Sequence, residues 1–205
     1  MQTVYDLIGL PEPGGRPAAR QKLDESLVRS IAAGDRSAMQ VLFQRHSVRV
    51  YRFVLRMTRD PALSEDITSD VFLDVWRQAG TFKARSQVTT WLLAIAYHKA
   101  VSAIRRRCEV QLDELSAEEF ADPSDDAETV VARKDRDRIV QSCIARLSPA
   151  HQAIIDLVYY HGKSLTEVAL IVGAPRNTVK TRMFYARSHM ARMLAAEGIH
   201  EAQGA

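Results

Sequence analysis

The sequence predicts an all-α fold: two small helical domains joined by an acidic linker, the C-terminal one containing a helix-turn-helix. Three observations carry this reading. Apolar residues recur at three- and four-residue spacing through residues 23–107 and again from residue 129, and no alternating Val/Ile/Thr-rich run competes with them. The intervening "CEVQLDELSAEEFADPSDDAE" holds nine acids and no basic residue, and it is long for a loop inside one compact domain. Near the C-terminus a short capped helix, a glycine turn and a basic helix follow one another directly. The expected organisation is a flexible leader over 1–22, a helical domain over 23–107, a linker over 108–128, a second helical domain over 129–196 and a flexible tail over 197–205.

The leader has a short apolar cluster around Tyr5, Leu7, Ile8 and Leu10, then prolines and glycines that interrupt any regular element. Helical spacing starts with Leu23, Leu27 and Ile31 and stops at Gly34-Asp35. Met39, Leu42, Phe43, Val50, Phe53, Val54 and Met57 form the next stripe, and Asp60-Pro61 closes that helix and opens another. Ile67, Val71, Phe72, Val75 and Trp76 face inward in the third helix; Val88, Trp91, Leu92, Ile95, Ala96 and Ile104 share the buried side of the fourth. After the acidic stretch, Ser148 and Pro149 begin a helix carrying Ile154, Ile155, Leu157, Val158 and Tyr159, which Gly162 ends. Ser164 and Glu167 form a capping box for a helix over 165–172, and Gly173 terminates it.

The chain has 205 residues, 46% of them hydrophobic, and a net charge of only +3. Its charges are segregated along the chain, which says more than the total. Segregation also raises the expectation that the two halves pack together when free and hide their basic surfaces. Cys108 and Cys143 make neither a disulfide framework nor a metal cluster. No stretch is long and apolar enough to span a membrane and no secretory signal opens the chain, so a cytoplasmic, nucleoid-associated location is expected. The histidines are scattered, with no metal-ligand spacing, and neither a phosphate-binding glycine loop nor a nucleophile elbow occurs. Asp66, Asp70 and Asp74 recur every four residues, but one straight helix does not wrap an ion. The expectation is a binding protein: no enzyme, no cofactor, no metal, no small-molecule substrate.

Two positive surfaces stand out. "GAPRNTVKTRMFYARSHM" carries lysine and arginine and no acid. Val179, Met183, Ala186 and Met190 bury one face of this helix, leaving Arg176, Asn177, Thr178, Lys180, Thr181, Arg182 and Arg187 for a major groove, with base edges near the first turns and phosphates on the flanks. "YHKAVSAIRRR" sets Lys99, Arg105, Arg106 and Arg107 beside Trp91, Tyr97 and His98. Cations interleaved with aromatics suit melted nucleic acid; a core Trp91 with arginines complementing a helix C-terminus is the equal alternative.

Taken with their order and separation, "SEDITSDVFLDVWRQAGTF", "TWLLAIAYHKAVSAIRRR" and "LSPAHQAIIDLVYYHGKSLTEVALIVGAPRNTVKTRMFYARSHM" resemble bacterial RNA polymerase sigma factors of the extracytoplasmic-function group. The resemblance spans roughly residues 23–194. It implies that residues 60–82 dock on core RNA polymerase through Glu65, Asp66, Asp70, Phe72, Asp74, Trp76 and Arg77. It implies that residues 82–107 melt and capture the minus-ten element through Tyr97, His98, Lys99, Arg105, Arg106 and Arg107. The acidic linker then threads through polymerase, and the last domain reads the minus-thirty-five element of promoter DNA; an anti-sigma factor is the expected regulator. Two departures stand out: Tyr97, His98 and Ser102 replace the family's usual arginine, asparagine and aspartate, and Pro175, Arg176 and Asn177 precede the Thr178-Val179 pair where serine and glycine are usual. The rival reading is a polymerase-independent repressor or activator using the same terminal helices.

Overall fold

A computed structural model of the chain describes residues 18–113 and 131–197, with side chains for 20–107 and 138–197. Most of the expected leader, residues 114–128 of the linker and residues 198–205 of the tail lie outside the described residues. Every regular element among the described residues is helical: α1 (Ala18–Ala32), α2 (Arg36–Thr58), α3 (Pro61–Gln78) with a 3₁₀ turn (Ala79–Thr81), α4 (Val88–Asp113), α5 (Val131–Ala145), α6 (Pro149–Tyr159), α7 (Leu165–Val172) and α8 (Arg176–Ala196).

The punctuation in the sequence sets these boundaries. Asp35 Oδ1 accepts from the backbone N–H groups of Ser37 and Ala38 at 2.8 and 3.1 Å, capping α2. Asp60 Oδ1 accepts from Leu63 N–H at 3.0 Å, and Pro61 opens α3 without sacrificing a needed donor. At α7 the capping box closes in both directions between Ser164 and Glu167. Gly173 then adopts φ +64°, the left-handed conformation that ends a helix at least cost with glycine. One boundary differs from expectation. The fourth helix runs to Asp113, six residues past Arg107, because no glycine or proline interrupts the chain before Pro123.

In the N-terminal helices, Leu42, Phe53 and Val54 of α2 pack with Val71 and Val75 of α3 and Ala96 of α4, all fully buried. In the C-terminal helices, Ile154, Ile155, Leu157, Val168, Ile171, Val179 and Ala186 are equally buried. The two sets share one apolar core, because α7 lays its Val168/Ile171/Val172 face on α4 and α6 touches α2. Truncating a buried residue such as Phe53 to alanine costs about 3–5 kcal/mol in such surroundings.

Polar groups fix the contact between the two sets. Arg56 of α2 donates to the carboxylate of Asp156 on α6, which is 1% exposed. Gln152 donates its amide to the Arg56 carbonyl oxygen. The Arg56 guanidinium also sits 4.7 Å from the Tyr160 ring centroid. The His161 ring meets Phe53 edge-on at 5.5 Å. The halves therefore pack together, but Arg105, Arg106, Arg107, Arg176 and Lys180 remain exposed. Packing does not hide the basic surfaces.

Two residues expected inside lie at the surface: Leu23 is 49% exposed and Phe43 43%. In α1 the inward position next to Leu23 belongs to Asp24, 6% exposed, which accepts from Arg45 Nη1 at 2.7 Å and lies 3.0 Å from His46 Nε2. Burial pushes the Asp24 carboxyl upward, but hydrogen bonds from His46 and Arg45, with their charge, outweigh it and hold the group below the usual aspartate range. A buried, partnered carboxylate thus occupies a core position that hydrophobicity alone assigns to its neighbour.

Candidate nucleic-acid interface

The basic helix α8 is built around the burial of Val179, Met183, Ala186, Met190 and Leu194. With that face fixed, helical geometry turns Asn177, Thr181 and Ser188 directly outward. Arg176 and Lys180 are exposed on the first turns. No acid occurs anywhere in the helix. Pro175 occupies the cap without a side-chain hydrogen bond, so no acidic or hydroxyl cap competes for anions at this end. Thr181 returns its hydroxyl to the Asn177 carbonyl at 3.0 Å. Arg182 and Arg187 are half-buried. Arg182 acts on the other half: burial raises the Tyr97 phenol above its ordinary value, and the Arg182 charge only partly offsets this.

The second basic segment divides in two. Arg105, Arg106 and Arg107 are exposed in the C-terminal part of α4, ahead of its last turns, with Arg107 Nη1 3.0 Å from Asp60 Oδ2. His98 is exposed as well, close to the Gly173 turn. Tyr97 is packed inward at 8% exposure, and Trp91 is half-buried with its ring centroid 5.0 Å from that of Phe82.

On α3, Glu65, Asp66, Asp70 and Arg77 are exposed, and Asp74 and Trp76 half-buried. Phe72 is 3% exposed and packs edge-on against Phe43 at 4.8 Å. Lys99 of α4 lies 2.8 Å from Asp74 Oδ2 and 3.6 Å from Asp70 Oδ2. A groove of about 420 Å³ between α3 and α4 brings Asp66, Asp70, His98, Lys99 and Arg106 together. The acidic face and the basic segment are therefore neighbours, joined by Lys99. Among the described residues no three His, Cys, Asp or Glu side chains gather as a metal site, and no helix is long and apolar enough to cross a membrane.

Three features went unread in the sequence. Lys163, 6% exposed, donates to Gln87, Thr89, Thr90 and Glu167 at 2.8–3.1 Å; no local pattern signals an ammonium group buried between distant segments. The Asp24–His46 pair is equally non-local. Phe184 and Tyr185, 68% and 55% exposed, carried a signal that was available. They fall off the Val179/Met183/Ala186/Met190 stripe.

Residues 42–108 match the family described as Sigma-70 region 2, and residues 137–190 match Sigma-70, region 4. The chain is 35% identical to the ECF RNA polymerase sigma factor SigK of Mycobacterium sp. (strain KMS), over 86% of this chain and 93% of that protein. Two solved structures share its fold. One is the sigma factor RpoE in complex with the anti-sigma factor NepR from Bartonella quintana, with TM-score 0.61 and 22% identity, covering 76% of this chain and 96% of that one. The other is CnrH in complex with the cytosolic domain of CnrY, with TM-score 0.62 and 21% identity, covering 85% and 98%. With both sigma-70 regions present in order and a curated relative matched along nearly its whole length, the chain belongs to the extracytoplasmic-function group of the sigma-70 family of RNA polymerase sigma factors.

Proposed function

We propose that this sigma factor divides promoter recognition between α8 and the C-terminal part of α4, and uses the acidic side of α3 to hold core RNA polymerase. α7 and α8 act as a helix-turn-helix. α7 crosses the sugar-phosphate backbone, while α8 enters the major groove of the minus-thirty-five element with Arg176, Asn177 and Lys180 leading. Arg105, Arg106 and Arg107, with His98 beside them, hold the minus-ten strand as it leaves the duplex, where backbone charge supplies affinity and exposed bases supply stacking partners. Glu65, Asp66 and Asp70 form the polymerase dock. Residues 23–107 and 129–196 act as the two functional domains, and the acidic segment between them follows the path of nucleic acid through polymerase.

The single observation that carries this reading is the division of charge between two exposed faces. α8 has no acid, whereas the exposed side of α3 carries Glu65, Asp66 and Asp70. A polymerase-independent regulator needs the first of these and not the second, and nothing favours that rival. One structural relative is described in complex with the anti-sigma factor NepR and the other with the cytosolic domain of CnrY; an anti-sigma factor is the proposed regulator here.

Purified chain added to core polymerase on a library of genomic templates is expected to give run-off transcripts from a defined set of start sites. Core polymerase alone gives none of them. Absence of sigma-dependent transcripts together with absence of a complex with core enzyme would remove the proposal.

A further inference from the structure

Phe184 is 68% exposed and Tyr185 55%, and their ring centroids lie 5.7 Å apart in an edge-to-face pair. Single exposed apolar residues need no explanation, whereas two touching rings on one helix face form a patch. The position of the patch matters more than its size. Asn177, Thr181, Phe184 and Ser188 follow one another at spacings of four, three and four residues, so they lie in one line along the outward side of α8. The packing of α7 on α4 leaves this line uncovered. Lys180 and Arg187 flank the patch, and no carboxylate lies on the helix. An apolar protein partner gains nothing from such a cationic border, but duplex DNA does. The apolar group that the major groove presents is the thymine methyl.

We infer that Phe184, supported by Tyr185, is a specificity-determining residue that selects thymine in the upstream promoter element by packing on its methyl group. The inference rests on the reading of α8 as the groove-entering helix and adds what its middle turns read. Asn177 and Phe184 are seven residues apart, about 10 Å along the axis. That spans roughly three base-pair steps at 3.4 Å each, so the selected thymine lies about that far from the base met by Asn177.

The test uses the full chain assembled with core polymerase. The holoenzyme first selects duplexes from randomised DNA. The selected duplex is then remade with deoxyuridine replacing each thymine in turn, which removes one methyl group and leaves the pairing edge intact. One replacement is expected to weaken binding of the native holoenzyme about threefold to fivefold, the worth of one buried methyl. Phe184→Ala should weaken binding to the thymine duplex by a similar factor and abolish the difference between thymine and deoxyuridine. Phe184→Leu should restore part of that difference. A native holoenzyme indifferent to every replacement, or a Phe184→Ala holoenzyme that still discriminates, overturns the inference. So does a Phe184→Ala loss that appears in core-polymerase affinity, because the patch then docks protein. Failure of the holoenzyme to select any sequence removes the functional reading as well as this one.

Discussion

Lys163 reaches from the loop before α7 to Thr90 at the start of α4, its Nζ 2.8 Å from the hydroxyl oxygen. The Thr90 hydroxyl donates in turn to Glu167 Oε1 at 3.0 Å, and Glu167 accepts from Lys163 directly at 2.9 Å. Three side chains from two halves of the molecule thus close a ring of hydrogen bonds. Burial raises the Glu167 carboxyl, but the bonds from Lys163 and Ser164 outweigh it and leave the group below its ordinary value. This ring, with the Arg56–Asp156 pair, supplies direction to a contact that apolar packing alone leaves free to slide.

Lys163→Met is expected to destabilise the protein by about 2 kcal/mol, the scale of losing a charged hydrogen-bond donor at a buried site. Thr90→Val should cost less. In urea unfolding, the double variant should fall short of the sum of the two, because both changes break the same ring. Strict additivity would show that the two groups do not cooperate.

Gly173→Ala probes the turn that aims α8. A Cβ there would meet His98 no closer than 3.5 Å, so space permits it. The φ of +64° does not suit an L side chain, and a cost of about 1 kcal/mol follows from backbone strain alone. Thermal unfolding checks the magnitude. A loss several times larger would mean that His98 cannot yield.

Asp24 sets an acid limit on stability. Its carboxyl titrates below the ordinary value of 3.8 in the folded chain. The unfolded chain therefore binds the proton first as pH falls. The stabilisation is fully present above about pH 4–5 and is lost as pH drops through the depressed folded value. Asp24→Asn should lower stability at neutral pH by roughly 3 kcal/mol, since Arg45 and the buried His46 lose their anion, and should flatten the decline on the acid side. An unchanged acid profile in the variant would assign that decline to other carboxylates.

Arg176→Ala and Asp70→Ala should separate two functions. The arginine variant is expected to bind upstream-element duplex about 5- to 100-fold more weakly as holoenzyme, while its core-polymerase affinity stays level. The aspartate variant should do the reverse, losing polymerase affinity with little change in stability, since Asp70 is 63% exposed at its side chain. Fluorescence titration of labelled variants with core enzyme, then of the holoenzymes with DNA, reads both. Equal loss in both assays for either variant would show that the faces are not distinct.

What the sequence determined by itself was local and periodic. Asp35, Asp60-Pro61, Ser164 with Glu167, and Gly173 mark helix ends because capping and turn geometry involve residues one to four apart. The stripe Val179, Met183, Ala186 and Met190 reveals the buried side of α8 because helical period alone decides which residues share a face. The same rule placed Asn177 and Thr181 outside. Only the tertiary structure decided which polar groups go inside. Asp24 displaces Leu23 from the core because His46 and Arg45, more than twenty residues away in sequence, arrive to partner it. Lys163 is buried because Gln87, Thr89 and Thr90, more than seventy residues earlier, converge on its ammonium. Tyr97 and Phe72 turn inward, although their segments read as binding surfaces, because neighbouring helices cover those sides of α4 and α3. A buried charge is tolerable only when its partners are in place, and partners brought together by folding leave no trace in the local pattern of residues.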